Sequence, residues 1–220
     1  MTNTKLDLIF PEGAWQSLFK KAMALLSQIN DSGIEVPKWS LGGGTVLMFH
    51  YEHRLSKDID IFIPDPQFLP YINPSLSSIT ESFTDEYTGS HDSIKLLFPE
   101  GEIDFIATSP LTNSPFMQCN VLGHLIWLET PTEIAAKKMW HRGSIATARD
   151  LFDLATVIKY DELKLKSYSD IFRKNADVFL KQCHDRKFIL EKQFNQIVKI
   201  KNQTSYDECL EVVDQFFKQL

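Results

Sequence analysis

Asp58 and Asp60 stand two residues apart in the apolar run Lys57-Asp58-Ile59-Asp60-Ile61-Phe62-Ile63, downstream of Gly42-Gly43-Gly44-Thr45. A strand repeats every two residues, so both carboxylates leave on one face while Ile59, Ile61 and Ile63 fill the other. Two acids held so close repel each other, and a divalent cation relieves that repulsion. Mg²⁺ favours a pair of carboxylates together with substrate phosphate oxygens. The glycines supply the complementary chemistry. Without side chains, Gly43 and Gly44 let backbone N–H groups approach a phosphate, and a helix opening there adds the positive end of its dipole. Thr45 brings a hydroxyl. Alone, a Gly-Gly is usually a tight turn and Asp-x-Asp an exposed strand end. In combination, two acids on an apolar strand carry a burial penalty unless something pairs with them. The chemistry they fit is transfer of a nucleotide, with metal and glycine loop on the same phosphates.

The elements that must position these residues follow from apolar spacing. Glu12 to Asn30 carries Trp15, Leu18, Phe19, Ala22, Leu25, Leu26 and Ile29 at helical intervals. Lys38-Trp39-Ser40-Leu41 reads as a short strand entering the glycines, and Thr45-Val46-Leu47-Met48-Phe49 as the start of a short apolar helix. Ser93–Phe98 and Glu102–Ile106 are separated by Pro99-Glu100-Gly101, a hairpin signal that makes the sheet mixed. From Thr130 onward the chain reads as nearly all helix. Thr130 is the N-cap of a helix with Pro131 at its first position and Glu133 closing a capping box; Ser205-Tyr206-Asp207-Glu208 is a second such box.

Further motifs narrow the reading. Gly43-Gly44-Thr45 and Asp58-Ile59-Asp60, in this order, resemble the core signature of the DNA polymerase β-type nucleotidyltransferase superfamily. Thr132-Glu133-Ile134-Ala135-Ala136-Lys137-Lys138 followed by Ala148-Arg149-Asp150-Leu151-Phe152-Asp153-Leu154, together with Arg54, Ser56, Asp58 and Asp60, resembles the AbiEii/AbiGii-toxin family over about residues 36–158. The resemblance implies a third carboxylate from a neighbouring strand, at Asp104 with Glu102 as the alternative on the same strand face. It implies a phosphate-contacting helix lysine, at Lys138 or its neighbour Lys137, which differ by about 100° around a helix, and a supporting aspartate at Asp150. Arg142 lies one turn beyond Lys138 and serves either as a second phosphate-clamping cation or as a partner for Asp150 or Asp153. Arg54 and Ser56 precede the metal strand, Arg54 as a triphosphate contact or as an ion-pair partner of Asp58 or Asp60. The implied fold is α+β: a polymerase β-type core over residues 1–128 with a mixed sheet flanked by helices, then a helical region over 129–220 that completes the active site.

Composition sets the remaining bounds. At 220 residues with 43% hydrophobic content the chain is globular. No run approaches the ~20 apolar residues of a membrane helix, and residues 1–7 carry no signal-peptide pattern. Cys119, Cys183 and Cys209, odd in number and uneven in spacing, read as reduced thiols of a cytoplasmic protein. His50 and His53 read as surface or cleft residues. The net charge is −6, yet residues 159–202 carry 11 Lys and Arg against 6 Asp and Glu. That stretch reads as a solvated helix face, or as a patch guiding an RNA acceptor. The expected activity is Mg²⁺- or Mn²⁺-dependent transfer of NMP from an NTP to an acceptor hydroxyl. By resemblance the protein is the toxin of a bacterial type IV toxin–antitoxin or abortive-infection system, with tRNA as acceptor and a cognate antitoxin as partner. The alternatives are a nucleotidyltransferase acting on a small molecule or a protein, and a non-catalytic NTP-binding regulatory module.

Overall fold

The computed structural model describes residues 8–220; the segment 1–7 and its expected lack of a signal pattern lie outside the described residues. Helix α1 (Trp15–Asp31) buries the seven apolar residues its spacing singles out. Strand β1 (Ser40–Gly42) runs directly into α2 (Gly43–Tyr51), a helix whose Gly44 to Phe49 are all buried. Strand β2 (Ile59–Ile63) alternates as expected, with Ile59, Ile61 and Ile63 fully buried; it begins one residue after Asp58. The proline-rich stretch that follows folds into a 3-10 turn (Pro66–Phe68) and two short helices, α3 (Leu69–Ile72) and α4 (Ser78–Glu81).

The other strands are β3 (Tyr87–Gly89), β4 (Ser93–Phe98), β5 (Gly101–Ala107), β6 (Phe116–Val121) and β7 (His124–Glu129). They join one seven-stranded sheet in the order β3-β4-β5-β2-β1-β7-β6. The sheet is mixed: β4 and β5 form the expected antiparallel hairpin, while β2 pairs parallel to β5 and β1 parallel to β7. The register decides the chemistry, because it sets Asp60 beside Asp104 across β2 and β5, and Lys95 beside Asp104 across β4 and β5. Phase matters here, since a slip of one residue would turn either carboxylate to the opposite face.

The rest is helical: α5 (Pro131–Arg142), α6 (Ala148–Lys166), α7 (Ser169–Arg173), α8 (Ala176–Asp185), α9 (Lys187–Phe194) and α10 (Tyr206–Lys218). The capping box opening α10 is complete, with Ser205 and Glu208 exchanging bonds. At α5 only half of one forms. Thr130 accepts from the Glu133 N–H at 3.4 Å, but the buried Glu133 carboxylate accepts instead from the N–H groups of Leu111 and Thr112 and from the Thr112 hydroxyl. The loop before β6 thereby satisfies its backbone, a stronger demand than a second cap bond. One buried apolar cluster extends from Trp15 through the sheet to Phe216. All three cysteines are free. Among the described residues no helix is long and apolar enough to cross a membrane.

Candidate active site

A cleft of about 730 Å³ opens where the sheet meets α5 and α6, and Gly44, Ser56, Asp58, Asp60, Asp104, Lys138 and Asp150 all line it. The glycines are there because nothing larger fits. Gly43 has φ +67°, and a Cβ on it would lie 1.8 Å from Asp60 Oδ2; a Cβ on Gly44 would lie 2.4 Å from Arg54 Nη2. The N-terminus of α2 thus abuts both the carboxylate strand and the arginine loop, with its first N–H groups unsatisfied by the helix itself. Thr45 is fully buried and its hydroxyl donates to the Asp58 carbonyl at 2.6 Å, tying α2 to the start of β2.

The carboxylates differ in environment. Burial, and then repulsion from Asp104, push the Asp60 carboxyl up to about 6; Lys138 and Arg142 only partly oppose this. Asp104 is likewise raised by burial, against the pull of Lys95. Lys95 Nζ donates to Glu102 Oε2 at 2.6 Å and lies 3.1 Å from Asp104 Oδ2. Asp58 Oδ1 accepts from the Glu102 N–H at 3.2 Å, and Arg149 stands 4.0 Å from its other oxygen. In these rotamers no three acidic, histidine or cysteine side chains among the described residues converge to ligate a metal. The donor set nevertheless fits a hard divalent cation: Asp60 and Asp104 are paired across β2 and β5, Asp58 stands just before β2, and all three are half-buried in the cleft.

Behind the carboxylates lies a buried ionic network. Lys138 Nζ bridges Asp150 Oδ1 at 2.7 Å and Asp153 Oδ2 at 3.0 Å. Arg54, itself buried, forks onto Asp153 through Nε at 2.6 Å and Nη2 at 2.8 Å, and His53 Nε2 lies 2.8 Å from the same carboxylate. Burial alone would raise Asp153, but Arg54 and Lys138 outweigh it and hold the carboxyl well below its usual range. Asp150, also buried, is lowered by Lys138 and Arg142 against the effect of burial; Arg142 approaches it at 3.4 Å, and the Thr147 hydroxyl caps α6 by accepting from the Asp150 N–H. Arg54 therefore pairs with Asp153 rather than with Asp58 or Asp60. His53, 1% exposed, is a member of this network rather than a surface residue, and His50 is half-buried with its Nε2 shielded from solvent. Lys137 points elsewhere. It is buried against Glu129 Oε1 at 2.5 Å and sits 4.2 Å over the Phe62 ring, outside the cleft.

Lys95 and the Asp153 hub are what the sequence reading lacked. The hairpin register carried the signal for Lys95, since pairing β4 with β5 around Pro99–Gly101 puts it opposite Asp104. Nothing local marks the contact between Arg54 and Asp153, which joins positions 99 residues apart.

The pH dependence of stability follows from these environments. Burial pushes Glu129 up to about 7, against Lys137. For Glu129 and Asp60, whose folded values lie above their unfolded ones, the stabilising contribution is complete below the unfolded value and is lost as pH rises through the folded value. Asp150 and Asp153 behave oppositely, their contribution being lost as pH falls through their lowered values. Without divalent cation, thermal melts should therefore show a Tm that declines from about pH 5 to about pH 8 and drops again below about pH 4. A Tm rising steadily from pH 5 to 8 would contradict these assignments.

A mixed sheet with a helix N-terminus on one side of an Asp-x-Asp strand and a third carboxylate on the other is the nucleotidyltransferase fold, and the solved structures agree. A Helicobacter pylori protein assigned as a nucleotidyltransferase superposes with a TM-score of 0.51 at 16% identity, over 96% of this chain and 97% of that one. MenT4, the nucleotidyltransferase toxin Rv2826c of Mycobacterium tuberculosis H37Rv, gives 0.50 at 14% identity, over 94% and 85%. No curated protein matches the chain in sequence. The model of the nucleotidyl transferase AbiEii toxin family, described as belonging to the type IV toxin–antitoxin system, matches residues 24–214. This chain belongs to that family and is a nucleotidyltransferase.

Proposed function

We propose that the cleft transfers an NMP from an NTP to an acceptor hydroxyl with Mg²⁺ or Mn²⁺ held by Asp58, Asp60 and Asp104. The observation that carries this reading is Asp60: half-buried, flanked by two further carboxylates and pressed against the glycine turn, it holds a charge that a cation would stabilise beside the phosphates. Such a metal would neutralise charge on the transferring phosphate and sharpen the attacking hydroxyl. The chain's own groups do the remainder. Gly43 and Gly44 offer N–H groups at the α2 N-terminus for the triphosphate, with the Ser56 hydroxyl beside them. Lys138 faces the same cleft and supplies positive charge toward the leaving pyrophosphate. Asp150 orients Lys138, and Arg142 adds a second cation. Asp104, on the far side of Asp60 from α2, faces the acceptor.

Lys138 rather than Lys137 is the phosphate contact in this reading. Lys138→Met should lower kcat/KM for NTP by about a hundred-fold, or about 2.7 kcal/mol. Lys137→Met should leave NTP kinetics within about three-fold but destabilise the fold by about 2 kcal/mol, because Glu129 loses its buried counter-charge. The reverse pattern in steady-state kinetics and thermal melts would exchange the two roles.

For the acceptor we favour RNA, with tRNA as the first candidate. Exposed Lys57, Arg142 and Arg149 rim the acidic centre, an arrangement suited to a polyanion. The basic stretch 159–202 supports this less, since many of its cations are paired: Lys164 with Asp161, Lys166 with Glu162, Lys181 with Asp185 and Lys187 with Asp207. Within this reading residues 1–128 carry the donor and metal chemistry, and 129–220 complete the cleft. The biology would be that of a bacterial cytoplasmic toxin held in check by a cognate antitoxin. Label from an α-labelled NTP appearing on tRNA tests the acceptor, and label on protein or on a small molecule instead would redirect it.

A further inference from the structure

One end of the cleft takes no part in the chemistry above. It is walled by Gln193, Gln196, Leu55 and Val198. The topology says which end this is. In the sheet, β5 and β4 lie on one side of β2, and β1 with α2 on the other. In the proposed transfer, Asp104 and Lys95 mark the acceptor side. The 54–56 loop lies against α2, since a Cβ on Gly44 would meet both Arg54 and Ser56. The wall is built onto that loop. Leu55 N–H donates to the Val198 carbonyl at 2.8 Å, the Ile200 N–H to the His53 carbonyl at 3.1 Å, and Arg54 and Lys199 form an antiparallel bridge. Because Arg54 is itself clamped to Asp153, the wall is fixed to the rigid centre of the molecule, on the donor side.

Its chemistry suits a planar heterocycle. Leu55 and Val198 are 44% and 60% exposed, large apolar side chains open at the edge of an otherwise charged cleft. Gln193 and Gln196 stand one turn apart, the Gln196 N–H closing on the Gln193 carbonyl at 3.1 Å, and their exposed side-chain amides make no hydrogen bond to the described residues. Each amide offers two donors and one acceptor oxygen, the pattern that matches the edge of a nucleobase, while an apolar flank matches its face. We infer that Gln193 and Gln196 read the base of the donor nucleoside triphosphate, with Leu55 and Val198 against the ring; this rests on the proposed nucleotide transfer.

The test is equilibrium binding of ATP, GTP, CTP, UTP and inorganic tripolyphosphate, each with Mn²⁺, to the full chain and to the Q193A/Q196A variant. The two glutamines are exposed, so thermal melts of the variant should match the wild type. The wild type is expected to bind one NTP at least about ten-fold more tightly than the others and than tripolyphosphate, the discrimination an amide–base pair supplies. In the variant the four NTPs should converge to within about three-fold, with tripolyphosphate unchanged. A variant that keeps the wild-type ranking, or that loses tripolyphosphate as strongly as NTP, overturns the inference. So does a wild type that binds all four NTPs equally. A variant whose donor ranking is intact but whose acceptor KM rises would assign the wall to the acceptor, again against it. Those outcomes leave nucleotide transfer standing; a wild type that transfers no nucleotide removes transfer and base reading together.

Discussion

Asp60→Asn is expected to reduce nucleotide transfer by about a thousand-fold, the equivalent of about 4 kcal/mol of transition-state stabilisation, while making the metal-free protein more stable. Both effects have one cause. The Asp60 carboxyl is pushed up to about 6 by burial and by Asp104, so near neutral pH its charge is held against the fold. Asparagine keeps the shape beside Gly43, where no larger group fits, and removes that charge. The expected gain is about 2 kcal/mol at pH 7, read as a raised Tm without divalent cation. Mg²⁺ or Mn²⁺ should raise the Tm of the wild type at pH 8 and fail to raise that of the variant. Loss of activity with a lowered Tm would mean that Asp60 is a structural residue. A Tm gain with full activity would mean that the carboxylate is dispensable for transfer.

Arg54→Met carries the second-largest effect, and its expected readout is stability. Removing one side of a buried, forked ion pair leaves Asp153 facing Lys138 and His53 alone. The expected loss is about 3 kcal/mol, a Tm decrease of about 6–12 °C for a chain of this size. Arg54→Met combined with Asp153→Leu should recover part of that loss, because the uncompensated charge is gone. If Arg54 instead acts chiefly as a triphosphate contact, Arg54→Met would keep its Tm and raise the KM for NTP many-fold. Thermal melts beside steady-state kinetics on the single and double variants separate these outcomes.

How much of this was legible in the sequence depends on the range of the interaction. The mixed sheet, the 93–106 hairpin and the α1 face were readable because each is set by a period of two or of about 3.6 residues. The glycine turn and the Asp58–Asp60 pair were readable because a few residue types satisfy their local geometry. The Lys137–Lys138 ambiguity was not resolvable in one dimension, since both neighbours fit the motif. Only packing against Glu129 and Phe62 on one side, and against Asp150 on the other, separates them. Arg54 was read as a triphosphate contact or a partner of Asp58 or Asp60 and instead reaches Asp153, across a loop-to-helix contact that no spacing encodes. His53 was misread for the same reason, as a polar residue near a cleft rather than part of a buried network. Lys95 lies between these cases, found by anyone who writes out the hairpin register and asks what faces Asp104.

The most direct test of the central claim is an in vitro transfer assay. Each α-labelled NTP would be incubated with Mg²⁺ or Mn²⁺, total tRNA and cell extract, using wild-type protein beside Asp58→Ala/Asp60→Ala. Metal-dependent label on an acceptor, present with wild type and absent with the double variant, is the predicted result, and label on tRNA would name the acceptor class. Equal labelling by wild type and the double variant would contradict the assignment of this cleft as the catalytic centre.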